Sequence, residues 1–99
     1  LPEHSFVELE VDTLEQFQIG LTLQVDIIML DNMEPERLRK AVNMRSEAGL
    51  ARHIELEASG GITLENLREI AETGVDRISI GALTHSSGSV DIGLDIEIE

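Results

Sequence analysis

The sequence predicts an α/β fold of parallel strands alternating with helices. Three observations carry that expectation. Short segments with strand patterning end near Glu10, Asp31, Glu57 and Gly81, a repeat of roughly 21 to 26 residues. Between them lie segments with helical spacing and recognisable start and stop residues. The chain is 41% hydrophobic, yet its only aromatic residues are two Phe, so Ile, Leu, Val and Ala must fill the core. An aliphatic core of that kind suits parallel strands covered by helices. At 99 residues the default is one small domain.

Each element has its own signal. Phe6 to Val11 alternates apolar and acidic residues, the period-2 pattern of a strand. Asp12-Thr13 supplies an N-cap, and Leu14, Phe17 and Leu21 line one face of the first helix. Val25 to Leu30 is an almost continuous apolar run, as expected for a strand buried on both faces. Glu34-Pro35 then opens a helix whose inward stripe is Leu38, Ala41 and Val42, reaching about Glu47 with Gly49 as its stop. His53 to Glu57 reads as the third strand. Thr63 caps a third helix with Leu64, Leu67, Ile70 and Ala71 inward and Gly74 beyond its end. Arg77 to Ile80 is the fourth strand. The stretch from Val90 to Glu99 alternates again and reads as a half-exposed or edge strand.

A β-α-β-α-β-α-β order with this spacing lays βα units side by side in a parallel sheet. Two architectures satisfy it: an open doubly wound sheet, or half of an eight-unit barrel. The local pattern is common to both.

Composition excludes several function classes. A net charge of −13 opposes nucleic-acid or anionic-membrane binding, which needs clustered Lys and Arg; the seven basic residues here are scattered. There is no Cys, hence no disulfide, thiolate metal site or cysteine nucleophile. No apolar run approaches the roughly 20 residues that span a bilayer. The chain opens Leu1-Pro2 without a methionine, which points to a processed chain or to part of a longer protein.

In both architectures ligands sit at the carboxyl ends of the strands. Glu10, Asp31, Glu57 with Ser59-Gly60-Gly61, and Gly81 are therefore expected to converge on one rim. Glu10 and Asp31 end adjacent strands and offer hard oxygen ligands suited to Mg²⁺; solvated carboxylates, or caps of the following helices, are the alternative. Asp31 is the sharper candidate, because its helix already has Glu34-Pro35 as a start signal. Ser59-Gly60-Gly61 precedes Thr63, and two glycines let backbone N–H groups approach an anion; an ordinary tight turn fits equally well. Gly81-Ala82-Leu83 offers a second set of N–H groups to the same phosphate. His85, in "LTHSSGS", is either a surface residue or a substrate contact. His4 and His53 read as structural or surface residues, and Met29, Met33 and Met44 as core filling.

The segments "VELEVDTLEQ", "DIIMLDNMEPE", "LEASGGITLENLREIAETGVDRISIGALTHS" and "VDIGLDI" carry more than their physics. In order and spacing they resemble the C-terminal part of the quinolinate phosphoribosyltransferase family, also called nicotinate-nucleotide pyrophosphorylase (carboxylating). The resemblance covers nearly the whole chain, and the block from Leu56 to Ser86 is its most specific part. It implies conversion of quinolinate and 5-phosphoribosyl 1-pyrophosphate, with Mg²⁺, to nicotinate mononucleotide, pyrophosphate and CO₂ in NAD biosynthesis. It also implies a cytoplasmic glycosyltransferase that works as a dimer or larger assembly, with an incomplete TIM-like α/β barrel.

Residue by residue, Glu10 matches the second acid of the family's "VEVE" strand and Asp31 the acid of its "LDN". Both are expected to contact ribose and metal, directly or through water, and to stabilise positive charge at ribose C1. Ser59, Gly60 and Gly61 match the phosphate loop; Ile80, Gly81 and Ala82 match its partner turn. Glu57 and His85 match positions on the site rim. Where the family has "AGAD", this chain has "LTLQVD" at Leu21 to Asp26, so the loop there is expected to differ.

Family members are nearly three times this length, and the basic residues that hold the two quinolinate carboxylates come from the first part. The expectation is thus a partial barrel domain over residues 1–99, carrying the acidic and phosphate-binding part of the site and completed by another chain or a second copy. Two alternatives stand beside it: a catalytically inactive or engineered half-barrel that self-associates and binds phosphate, or another phosphate-binding βα enzyme sharing only the two glycine turns.

Overall fold

A computed structural model of the chain describes residues 6–80 and 89–91. Its elements run β1 (Glu8–Val11), α1 (Leu14–Gly20), β2 (Ile27–Asp31), α2 (Pro35–Glu47), β3 (Glu55–Ser59), α3 (Leu67–Ala71), β4 (Arg77–Ser79) and β5 (Ser89–Asp91). The strands lie in sequence order in one sheet; β1 to β4 are parallel and β5 joins β4 antiparallel. The expected tail strand is therefore observed at its first residues, on the sheet edge, and the remainder of that stretch lies outside the described residues.

The register separates the two faces. Residues paired across parallel strands point the same way, and successive residues point oppositely. Leu9 and Val11, Ile28 and Leu30, Leu56 and Ala58, and Ile78 and Ile80 thus share one face. That face packs with Phe17 of α1, Leu38 and Ala41 of α2, and Leu67 and Ile70 of α3 in a single core. The opposite face carries Glu8 and Glu10, Ile27, Met29 and Asp31, Glu55, Glu57 and Ser59, and Arg77 and Ser79. All three helices therefore cover one side of the sheet, which is half of a TIM-like barrel and not a doubly wound sheet. Met29, expected in the core, belongs to the polar face instead.

Local chemistry explains the element ends. The Thr13 hydroxyl accepts the Gln16 N–H at 3.0 Å, and Gln16 Oε1 accepts the Asp12 N–H at 2.9 Å, a reciprocal cap that starts α1. Pro35 opens α2, where a missing N–H costs nothing. Strand β3 begins two residues later than expected because 50–54 forms a turn, with His53 and Ile54 both donating to the Leu50 carbonyl. It then runs to Ser59, so Glu57 lies inside the strand and not at its end. Helix α3 also starts late. Thr63 and Asn66 close a turn of their own, and Leu64, expected on the apolar face, is 60% exposed.

Beneath the sheet, one device occurs twice. Asp26 donates its N–H to the Val7 carbonyl at 2.9 Å while its carboxylate accepts the Val7 N–H at 2.7 Å. Asp76 does the same with Leu56, at 2.9 Å in both directions. Each Asp fastens the start of its strand to the strand before it. Asp76 also pairs with Arg45 of α2, whose Nη1 donates to the Ile54 carbonyl at 2.8 Å, and the Arg45 side chain is buried.

Candidate functional site

The carboxyl ends of β2 and β3 form one interlocked structure. Asp31 pairs with Ser59 across the ladder, and the Ser59 hydroxyl donates to Asp31 Oδ1 at 3.3 Å. The next residue, Asn32, donates its backbone N–H to the Ser59 carbonyl at 2.7 Å. Its φ of 58° makes it the one non-glycine with positive φ among the described residues, a conformation Asn tolerates better than most.

The Gly60-Gly61 turn sits directly against this corner. Both glycines have positive φ, 81° and 70°. A Cβ on Gly60 would lie 2.7 Å from Asp31 Oδ1 and 3.0 Å from the Asn32 nitrogen; one on Gly61 would lie 3.1 Å from Asn32 Oδ1. Conformation and space both demand glycine at Gly60. On its far side the turn is held by Asn66, whose side-chain amide donates to the Gly61 carbonyl at 3.0 Å. The result is a short backbone loop beside a half-buried carboxylate, anchored from both flanks.

The other candidates are distributed more widely. Glu10 is exposed on the polar face of β1, but it pairs with Met29, so it lies two positions below Asp31 along the neighbouring strand. Glu57 is buried on the same face, between Met29 and Arg77 in the register. The Arg77 Nε lies 3.2 Å from Glu55 Oε1. Ile80 buries its side chain in the helix-side core, so only its backbone can face a ligand. Gly81, Ala82 and His85 lie outside the described residues. Among the described residues no group of three or more His, Cys, Asp or Glu is placed to hold a metal ion. Two asparagines that the sequence reading passed over, Asn32 and Asn66, flank the turn. Their signals were the Asp-Asn step after a buried strand and a Thr-x-x-Asn start to α3.

Comparison with known proteins bears on the family and the fold. The family described as quinolinate phosphoribosyl transferase, C-terminal domain, matches residues 1–95. A probable nicotinate-nucleotide pyrophosphorylase (carboxylating) of Methanocaldococcus jannaschii is 44% identical over 92 residues, covering 91% of this chain and 32% of that protein. The nicotinate-nucleotide pyrophosphorylase (carboxylating) of Mycobacterium leprae is 45% identical over 89 residues, covering 90% of this chain and 31% of its own. Among solved structures, nicotinate-nucleotide pyrophosphorylase from Ehrlichia chaffeensis superposes with a TM-score of 0.73 at 41% identity, over 97% of this chain and 33% of that one. The Francisella tularensis protein of the same name gives 0.72 at 34% identity, over 91% and 30%. The chain thus spans about a third of the length of the curated relatives it matches. With the Asp31 corner and the Ser59-Gly60-Gly61 turn lying in the matched region, the chain belongs to the quinolinate phosphoribosyltransferase C-terminal domain family.

Proposed function

We propose that this chain supplies the acidic and phosphate-binding part of a carboxylating quinolinate phosphoribosyltransferase site. The observation that carries the reading is the Asp31-Asn32 corner locked onto the Ser59-Gly60-Gly61 turn, at the ligand-binding end of a sheet with one polar face. In this reading the turn's N–H groups hold the 5-phosphate of 5-phosphoribosyl 1-pyrophosphate, together with the Ile80, Gly81 and Ala82 turn. Asp31 and Glu10 face the ribose. As the C1–O bond to pyrophosphate breaks, their carboxylates stabilise positive charge at C1, and the quinolinate nitrogen forms the new bond there. Loss of the carboxylate beside that nitrogen as CO₂ leaves the bond's electron pair on the ring carbon, which takes a proton from water to give nicotinate mononucleotide. Glu57 and His85 belong to the rim of the same site.

The donor set fits Mg²⁺ bound through one or two carboxylates plus substrate phosphates, the mode this ion prefers to an all-protein cage. Glu10 and Asp31 would hold it, and when bound it neutralises charge on the departing pyrophosphate. Both substrates are polyanions, and a chain of net charge −13 repels them without a basic wall. The reading therefore includes completion of the site by further chain or by another subunit, with the assembled enzyme in the cytoplasm. The same charge weighs against turnover by the isolated chain, and a second reading follows for it: a half-barrel whose glycine turn binds phosphate without catalysis.

The test is formation of nicotinate mononucleotide from quinolinate, 5-phosphoribosyl 1-pyrophosphate and Mg²⁺. The chain is assayed alone and with the preceding two thirds of a relative supplied as a separate polypeptide. Product that needs the complement and is lost in Asp31→Asn supports the reading. Product that survives Asp31→Asn contradicts it, and its absence in both arms favours the second reading.

A further inference from the structure

We propose that Asn66 is a positioning residue for the phosphate turn: its side-chain amide fixes the Gly61 carbonyl so that the N–H groups of Gly60, Gly61 and Ile62 stay free for a phosphate oxygen. The inference rests on the phosphate reading above and adds a residue to it. Asn66 makes two contacts with opposite halves of its amide. Its Oδ1 accepts the Thr63 N–H at 2.8 Å, and its Nδ2 donates to the Gly61 carbonyl at 3.0 Å. The first contact closes the turn before α3. The second reaches back five residues and serves no helix.

The consequence follows from peptide geometry. Carbonyl and N–H of one trans peptide unit point to opposite sides. With the Gly61 carbonyl turned toward Asn66, the Ile62 N–H is turned away from it. Among the described residues, the N–H groups of Gly60, Gly61 and Ile62 donate to no protein acceptor. Two successive glycines of positive φ leave this stretch free to re-orient its peptide planes. Asn66 on one flank and the buried Ile62 side chain on the other remove that freedom. A pre-oriented set of donors binds an anion without first being ordered.

The two contacts can be separated. Asn66→Asp keeps the acceptor for Thr63 and removes the donor to Gly61; Asn66→Ala removes both. Leu64→Asp places the same added charge on an exposed neighbour and leaves the Gly61 carbonyl anchored. The readouts are inorganic phosphate titration followed by amide ¹H–¹⁵N shifts, amide exchange at Gly60 to Ile62 without phosphate, and urea denaturation. Asn66→Asp should bind phosphate roughly five- to tenfold more weakly than the parent chain, with faster exchange at Gly60 to Ile62 and a urea midpoint lowered no further than the loss of one exposed hydrogen bond allows. Leu64→Asp should show a smaller loss of affinity and no change in exchange. The proposal is overturned if Asn66→Asp binds like the parent chain, or if Leu64→Asp loses as much as Asn66→Asp. A parent chain without phosphate-dependent shifts at Ser59 to Ile62 overturns the phosphate reading and this proposal together; normal binding by the parent and by Asn66→Asp overturns this proposal alone.

Discussion

Single carboxylates do different work at the two ends of this sheet. At the upper end Asp31 meets a hydroxyl and a glycine turn; at the lower end Asp26 and Asp76 each grip the backbone of the preceding strand. The lower pair share a hydrogen-bond pattern and differ in one respect. Asp76 also neutralises Arg45, whose side chain is only 7% exposed. Removing Asp76 therefore leaves a buried cation without its counter-charge, whereas removing Asp26 loses a hydrogen bond near the surface. Asp76→Ala should cost about 3 kcal/mol of stability and Asp26→Ala about 1, measured by urea denaturation. Equal costs would show that the ion pair adds nothing. Asp31 could be singled out in the sequence because it follows an apolar run with a separate helix start behind it. Asp26 and Asp76 could not, since their partners, Val7 just ahead of β1 and Leu56 in β3, lie 19 and 20 residues away.

At the level of elements, the strongest local signals held. Thr13, Pro35 and the aliphatic run of β2 are each sufficient for the element they begin or fill, because caps and buried strands are specified by adjacent residues. The shifts came where local signals competed. Thr63 does form a cap-like contact, yet its reciprocal partner Asn66 completes a turn first, so the regular helix waits until Leu67 and Leu64 faces solvent. The end of β3 moved to Ser59 because the ladder with Asp31 continues past Glu57. Gly74, three residues after α3, joins two demands that the sequence showed only in part. Its φ is 102°, and a Cβ there would lie 3.1 Å from Val42 Cγ1. Gly74→Ala should lower stability by about 1–2 kcal/mol, through strain and displacement of α2. Gly49→Ala, at positive φ with open space around it, should cost less in the same denaturation measurement.

For the whole molecule, the decisive fact is that three helices cover one face of the sheet and the acids crowd the other. The repeat length and aliphatic core made parallel βα units legible. Which side each helix packs on was not, because an inward stripe reads the same in an open sheet and in a barrel. A net charge of −13 on so small a body works against compactness, so added salt should stabilise it. Raising sodium chloride from 0.02 to about 0.5 M should move the urea midpoint upward; a downward shift would mean that ion pairs such as Arg45 with Asp76 outweigh the repulsion. The polar face carries Glu8, Glu10, Glu55 and Glu57 near a single described Arg, and under the proposed function that acidity calls for a basic complement to hold polyanionic substrates.

A phosphate site on the Gly60-Gly61 turn is tested by inorganic phosphate titration of the chain, read from the amide ¹H–¹⁵N shifts and compared between the parent, Gly60→Val and Gly49→Val. Both substitutions strain a glycine of positive φ, and only Gly60 adjoins Asp31 and Asn32. A phosphate site on the turn predicts saturable shifts at Ser59 to Ile62 in the parent and in Gly49→Val, and their loss in Gly60→Val. Phosphate binding that persists in Gly60→Val, or shifts located away from the turn, would contradict it.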